Sequence, residues 1–303
     1  MTATHAIPEQ RAGGTDLAER RRSGVSGGAI VDIGARTELC RIDWRDDGGA
    51  TIGALVPIER IATDARIAAG YPGLSAAAGG LATPQIRRIG TVGGNLLQRN
   101  RCWYYRHPAT SCLKKGGTDC PARAGNHRYG VLFDLGPCVA AHPSTLGAAL
   151  LAYDTTVDTD RRAGLTMVNL FGHGTDGTRD HQLSPGELLT AVTLPPPING
   201  ERAAYFRATS RTHAEWPLAE AVARIVVADG LVTLAAIAVG GVAPVPLRLP
   251  RVEAALSGRP AAASTIAAAC KLAGEGANPL PMTAYKAALL IGCITEALDQ
   301  AMS

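Results

Sequence analysis

Residues 91–138 read TVGGNLLQRNRCWYYRHPATSCLKKGGTDCPARAGNHRYGVLFDLGPC, and the rest of the chain is interpreted outward from them. The run opens on Thr91-Val92-Gly93-Gly94-Asn95, a turn whose backbone can approach a ligand closely because two successive positions lack a Cβ. It then gathers four of the chain's seven cysteines, Cys102, Cys112, Cys120 and Cys138, with nine, seven and seventeen residues between them. The intervening Gly, Pro and cationic residues follow no helical or strand period, so the segment reads as a loop. Four thiols there suit an iron–sulfur cluster, which takes four Cys thiolates, although the spacing is not the compact ferredoxin run. Zinc is the weaker reading, because close C-x2–4-C pairs are missing. Two disulfides suit small secreted domains and would allow three connectivities. Unligated Cys behaves as a small buried hydrophobe. That describes Cys40, Cys270 and Cys293, in apolar surroundings, better than cysteines flanked by Lys114, Lys115, Asp119 and Arg123.

A second glycine turn lies near the start of the chain: Arg11-Ala12-Gly13-Gly14-Thr15-Asp16-Leu17. By itself it fits an anion site built from backbone N–H groups, or a plain tight turn with Thr as N-cap. It matches neither the G-x-G-x-x-G fingerprint nor a P-loop. Together the two turns predict two sets of N–H donors converging on one diphosphate. Ala29–Ile33 and Thr51–Val56 read as buried strands, and Pro57–Ala69 and Pro72–Leu81 as helices. Leu194–Pro197 reads as a linker, which sets the domains at 1–196 and 197–303. In the second domain, Tyr205-Phe206-Arg207 reads as strand, Pro217–Val227 as helix and Leu231–Ala238 as a hairpin. Ala261–Leu272 and Met282–Met302 read as helices with apolar stripes.

Three hundred and three residues can bury a large core, and the length alone suggests about two domains. A net charge of +4 with scattered Lys and Arg argues against a nucleic-acid surface. No apolar run reaches the ~18 residues of a membrane span. The opening MTATHAIPEQR lacks a secretory leader, so this chain alone reads as cytoplasmic, or as periplasmic if exported with a partner. His107, His127 and His142 read as ordinary loop histidines. Phe171–Gly177 reads as a surface loop, and no Ser-His-Asp grouping or carboxylate pair emerges.

AGGTDL at 12–17, IGAL at 52–55, PQIRRIGTVGGNL at 84–96 and HPST at 142–145 resemble the FAD-binding medium subunit of the molybdenum hydroxylases. This is the xanthine dehydrogenase and carbon monoxide dehydrogenase family. Gly186–Val192 and Val239–Ala243 continue the resemblance, which covers nearly the whole chain. It implies an α+β fold: a PCMH-type FAD-binding domain of two α/β subdomains, then a smaller α+β flavoprotein C-terminal domain. QRNRCWYYR, SCLKKGGTDC and the closing PC are similar to the aldehyde oxidoreductase branch. That likeness implies a [4Fe–4S] cluster in the loop 98–140, ligated by Cys102, Cys112, Cys120 and Cys138.

Carried over by position, the resemblance implies that Ala12, Gly13, Gly14, Thr15, Asp16 and Leu17 bind FAD from one side. Thr91, Gly93, Gly94 and Asn95 would bind it from the other, with Arg101 and Ser144 as further contacts. Leu189 and Arg207 fall where the family places residues near the isoalloxazine. Thr145 stands where the family has Asp, and Arg207 where it usually has Lys, a guanidinium fork in place of a point charge. Only about a dozen residues precede AGGTDL, where the family has roughly one βα unit. The expectation is a start assigned too late, or a shortened copy with weaker FAD binding and an exposed sheet edge.

The implied role is an electron-transfer oxidoreductase subunit without catalytic residues of its own. Its partners would be a small [2Fe–2S] subunit and a large subunit carrying the molybdenum cofactor. Two other readings are a self-contained FAD oxidoreductase and a non-catalytic assembly subunit.

Overall fold

The computed structural model of the chain describes residues 8–212 and 214–303. Residues 1–7, the start read above for a leader, and His213 lie outside the described residues.

The chain begins with β1 (Glu9–Arg11), α1 (Thr15–Arg22) and β2 (Ile30–Asp32), where β1 and β2 form a two-stranded parallel sheet. The strand expected around Ala29–Ile33 is therefore present but not buried. Ile30 and Val31 are exposed, and no third strand joins this small sheet among the described residues. Next come β3 (Ile42–Trp44) and β4 (Ala50–Gly53), then α2 (Ile58–Thr63), α3 (Ala65–Gly70) and α4 (Pro72–Gly80). The single helix expected over 57–69 is thus two. Asp64 breaks it by capping the second, accepting from Arg66 N at 2.9 Å and Ile67 N at 3.2 Å.

Short helices α5 (Pro84–Ile89), α6 (Val92–Leu96) and α7 (Trp103–Arg106) lead into and through the cysteine loop. Beyond it lie α8 (Thr145–Ala152), β5 (Thr156–Thr159), β6 (Leu165–Thr166), α9 (Met167–Phe171) and β7 (Leu189–Leu194). The order β3-β4-β7-β5-β6 makes a five-stranded antiparallel sheet.

The C-terminal part is a second antiparallel sheet, from β8 (Glu201–Ala208), β9 (Ala219–Ala228), β10 (Leu231–Gly240) and β11 (Leu247–Arg248). It closes with α10 (Pro250–Leu256), α11 (Ala263–Cys270) and α12 (Lys286–Met302). Here the expected helix over 217–227 is overturned, since those residues form β9. The reason is burial: Ala219 to Ile225 are all buried, with α12 against the sheet on one side and α4 and α8 on the other. A strand covered on both faces shows no alternation, and its alanines then imitate helix. The hairpin expected within 231–238 is instead the β9–β10 pair. Asp229 and Gly230 both take positive φ, the two-residue turn that Asp-Gly favours.

The main apolar core lies between the five-stranded sheet, α4 and α8, and a second fills the space under α10–α12. Arg224 joins the two parts: its guanidinium stacks 4.2 Å from the Tyr153 ring and pairs with Glu201 at 2.6 Å, both charges buried. No helix among the described residues is long and apolar enough to cross a membrane.

Candidate functional site

The two glycine turns face each other across a cleft of two connected lobes, with empty volumes of about 670 and 1020 Å³. Thr15, Asp16, Gly90, Gly94 and Gln98 line both lobes and form the waist. The turns meet tightly: a Cβ on Gly13 would stand 1.9 Å from the Ile89 carbonyl oxygen. Gly14, at φ 72°, is the cap position of α1 and no side chain caps that helix, so Thr15 begins the helix rather than capping it. Its first N–H groups, at Thr15, Asp16 and Leu17, precede the first intrahelical bond, Ala18 N to Gly14 O at 2.8 Å. They carry the positive end of the helix dipole.

The second turn is different. Val92 N donates to Val56 O at 3.0 Å, Gly93 N to Ala54 O at 2.8 Å and Gly94 N to the Thr91 hydroxyl at 3.1 Å. Asn95 N donates to Thr91 O at 2.8 Å. The expected second set of free donors is therefore absent at these four residues, because the turn's N–H groups are consumed in bracing it. Its glycines serve close approach instead. A Cβ on Gly93 would lie 2.9 Å from the Ala54 Cβ.

Of the proposed FAD contacts, Ala12 to Leu17, Thr91, Gly93, Gly94 and Leu189 line the smaller lobe. Asn95, Arg101 and Arg207 line the larger. Leu189 and Arg207, both expected beside the isoalloxazine, thus face different lobes. Ser144 lines neither. It is buried behind Asn95, donating to Asn95 Oδ1 at 2.7 Å while accepting from Gly147 N at 2.9 Å, so it aims Asn95 and caps α8. Asp16 is enclosed by arginines, with Arg106 at 2.7 Å, Arg101 at 3.0 Å and Arg20 at 3.1 Å. Burial raises its pKa, but those guanidinium charges outweigh burial and hold the carboxyl below its ordinary value.

In the larger lobe Arg101 stacks 4.2 Å from the Trp216 ring, and burial pulls its guanidinium down to about 10. The buried Nε atoms of Arg101 and Arg207 have no hydrogen-bond partner among the described residues. Thr145, the departure from the family's Asp, donates to the buried Glu220 carboxylate at 2.8 Å, and Tyr205 donates to the same oxygen at 2.6 Å. Burial raises the pKa of Glu220. Trp216 carries no local sequence signal: it reaches the site by stacking on Arg101, more than a hundred positions away.

Beside the cleft, Cys102, Cys112, Cys120 and Cys138 line a single small pocket, together with Asn100, Tyr105 and Lys114. All four are free thiols, which sets aside disulfides. A hydrogen bond from Cys138 pulls the Cys120 thiol below its ordinary range, while the same pairing and burial push Cys138 up. Among the described residues, no three His, Cys, Asp or Glu donors converge on one metal-ion position.

Residues 8–197 match the family model described as the FAD binding domain in molybdopterin dehydrogenase. Residues 204–301 match the CO dehydrogenase flavoprotein C-terminal domain. The chain is an FAD-binding subunit of the molybdenum hydroxylase family. It is 35% identical over 254 residues to the FAD-binding subunit of an aldehyde oxidoreductase from Escherichia coli K12, a match covering 81% of this chain and 78% of that one. It is 25% identical over 259 residues to a xanthine dehydrogenase FAD-binding subunit from Escherichia coli O157:H7, covering 85% and 74%. A solved carbon monoxide dehydrogenase from Hydrogenophaga pseudoflava shares the fold, with a TM-score of 0.76 at 22% identity over 97% of this chain and 89% of that one. Membership makes the subunit part of an oxidoreductase complex with an electron-transfer role.

Proposed function

We propose that this subunit holds FAD across the two-lobed cleft and a [4Fe–4S] cluster in the cysteine cavity, relaying electrons between partner chains and an external acceptor. The observation that carries the reading is the waist: three uncapped N–H groups at the start of α1, opposite the glycines of the second turn. An anionic diphosphate fits there, because those donors and the helix dipole both favour negative charge. The arginines around Asp16 cancel the acid at the waist that would repel it. The two lobes then accept the two ring systems. The larger suits the isoalloxazine, since Arg101 and Arg207 bring cationic charge to its wall, which favours the negative charge a flavin gains on reduction.

Bound FAD supplies the change between two-electron and one-electron chemistry, while the protein supplies position and electrostatics. Trp216 and the apolar side chains of Ile58, Leu81 and Ile86 limit water over that lobe. A cluster on the four thiolates supplies one-electron transfer. The free thiols and their shared cavity support this assignment, as does the likeness to the aldehyde oxidoreductase subunit. By the same likeness, the partners are a small [2Fe–2S] chain and a large molybdopterin chain that performs the substrate oxidation. The division between the two domains falls at about residue 196.

The test is an absorption spectrum with flavin, iron and sulfide assays on anaerobically purified protein, coexpressed with the chains encoded beside it. Flavin with about four irons per chain, the iron lost and the flavin kept in Cys112→Ser, is the expected result. Flavin without iron overturns the cluster alone. Absence of both leaves an assembly role and overturns the proposal.

A further inference from the structure

The cysteine cavity and the cleft are tied together by one buried carboxylate. Asp180 Oδ1 accepts from Lys114 Nζ at 2.9 Å, and Oδ2 accepts from Arg99 Nε at 2.6 Å. The Asp180 and Lys114 side chains are only 4% and 5% exposed, so their charges are little screened. Lys114 forms part of the cavity wall with the four cysteines. On the other side, Arg99 N donates at 3.2 Å to Asp16, which lines the cleft waist. A second cation, Arg123, also reaches the field of Cys120 and Cys138. It is 35% exposed and held in a two-pronged pair with Asp134 at 2.9 and 2.6 Å, so solvent weakens its effect.

We propose that Lys114 and Asp180 are a potential-setting pair. Lys114 is the buried positive charge that favours the reduced state of the group held by the four cysteines, and Asp180 fixes its position and offsets its field. The pair acts through space on that group and touches no reacting atom, so both are positioning residues. The inference rests on the [4Fe–4S] reading above. The physical reason is simple. Reduction adds negative charge to a thiolate-ligated site, and a cation fixed in a dry wall stabilises that added charge more than the same cation in water would. An anion buried behind that wall, as Asp180 is against Lys114, has the opposite effect.

The test compares wild type, Lys114→Met and Asp180→Asn, purified anaerobically with any coexpressed partner chains. Three quantities are read: iron per chain, the electron paramagnetic resonance signal after dithionite reduction, and the midpoint potential from a dye-mediated titration. Both substitutions keep side-chain size nearly constant. With iron content unchanged, the midpoint falls in Lys114→Met and rises in Asp180→Asn. Opposite shifts are the signature of charge, because a loosened loop would move both variants the same way. Shifts of one sign, or no shift in either, overturn the inference while leaving the cluster standing. Loss of iron from both variants overturns it too, since the pair would then be holding the loop together. Wild-type protein without iron overturns the cluster reading itself, and the inference falls with it.

Discussion

Gly13→Ala tests the central geometry, the close meeting of the two turns. The new methyl would stand 1.9 Å from the Ile89 carbonyl oxygen, whereas ordinary Cβ contact begins at 3.4 Å. The turn or the end of α5 must therefore yield by about 1.5 Å, and both sides of the clash are backbone. Overpacking of this kind costs roughly 1–3 kcal/mol. For parts of this size that corresponds to a fall in thermal midpoint of about 2–12 °C. The displaced residues are those before Thr15, Asp16 and Leu17, whose N–H groups face the cleft. Losing one hydrogen bond to a charged phosphate costs about 1.5–3 kcal/mol, roughly a ten- to hundredfold weaker FAD dissociation constant. The assay is thermal unfolding together with FAD titration of deflavinated protein, followed by flavin fluorescence. Gly27→Ala is the control, since nothing lies within 4 Å of its Cβ and its φ is not positive. A Gly13→Ala protein with an unchanged midpoint and unchanged FAD affinity refutes the cleft as described.

Two further outcomes follow from buried titratable groups. Burial holds His142 and His181 neutral, with pKa values pulled down to about 4. Their unfolded values lie near 6.5, so the unfolded chain binds more protons in between, and stability is full above about pH 6.5 and lost as pH falls toward 4. Urea unfolding from pH 7 to 4.5 should show that loss, and His142→Asn should reduce its slope; an unchanged slope contradicts the assignment. Lys286 is buried with one partner, donating to Gly241 O at 2.7 Å, and burial pulls it down to about 7. Here too the unfolded chain binds the extra proton, now between about pH 7 and 10.5, so the burial penalty is full below pH 7 and relieved as pH rises. Lys286→Met should stabilise the protein at pH 7 and remove that alkaline gain. Equal pH dependence in both proteins would count against it.

What the sequence reveals and what it hides divides along physical lines. The glycine turns are legible because close backbone approach demands residues without a Cβ, and that demand is local. The cysteine segment is legible as a loop, since its Gly, Pro and charged residues keep no helical or strand period. The helix read at 217–227 fails because β9 is covered on both faces, so its pattern carries no period. The Asp-Gly at 229–230 is a hairpin signal that the helix reading of 217–227 passes over, and it outranks the alanine content around it. Donor availability was hidden more deeply. Both turns look alike in sequence, yet the second spends its N–H groups on Val56, Ala54 and Thr91. Asp180 was invisible, because its contacts with Arg99 and Lys114 join residues more than sixty positions apart.

The segment from Gln98 to Arg106 shows why the two sites cannot be positioned separately. Gln98 and Arg101 face the cleft, while Asn100, Cys102 and Tyr105 face the cysteine cavity. Successive Cα atoms across a trans peptide are 3.8 Å apart, so Arg101 and Cys102 place a wall residue of each site one peptide from the other. Arg106 then returns, donating to Asn100 O at 2.9 Å and pairing with Asp16 at 2.7 Å, which locks the segment against α1. Any movement of Cys102 is thereby passed to Asp16 and to the N–H groups beside it. Disorder of the cysteine loop should therefore weaken the cleft as well, whereas a change confined to α1 need not disturb Cys120 and Cys138 on the far side of the cavity. That asymmetry makes the order of cofactor loss on gentle denaturation, cysteine-bound group before flavin or both together, a direct reading of how stiff this one segment is.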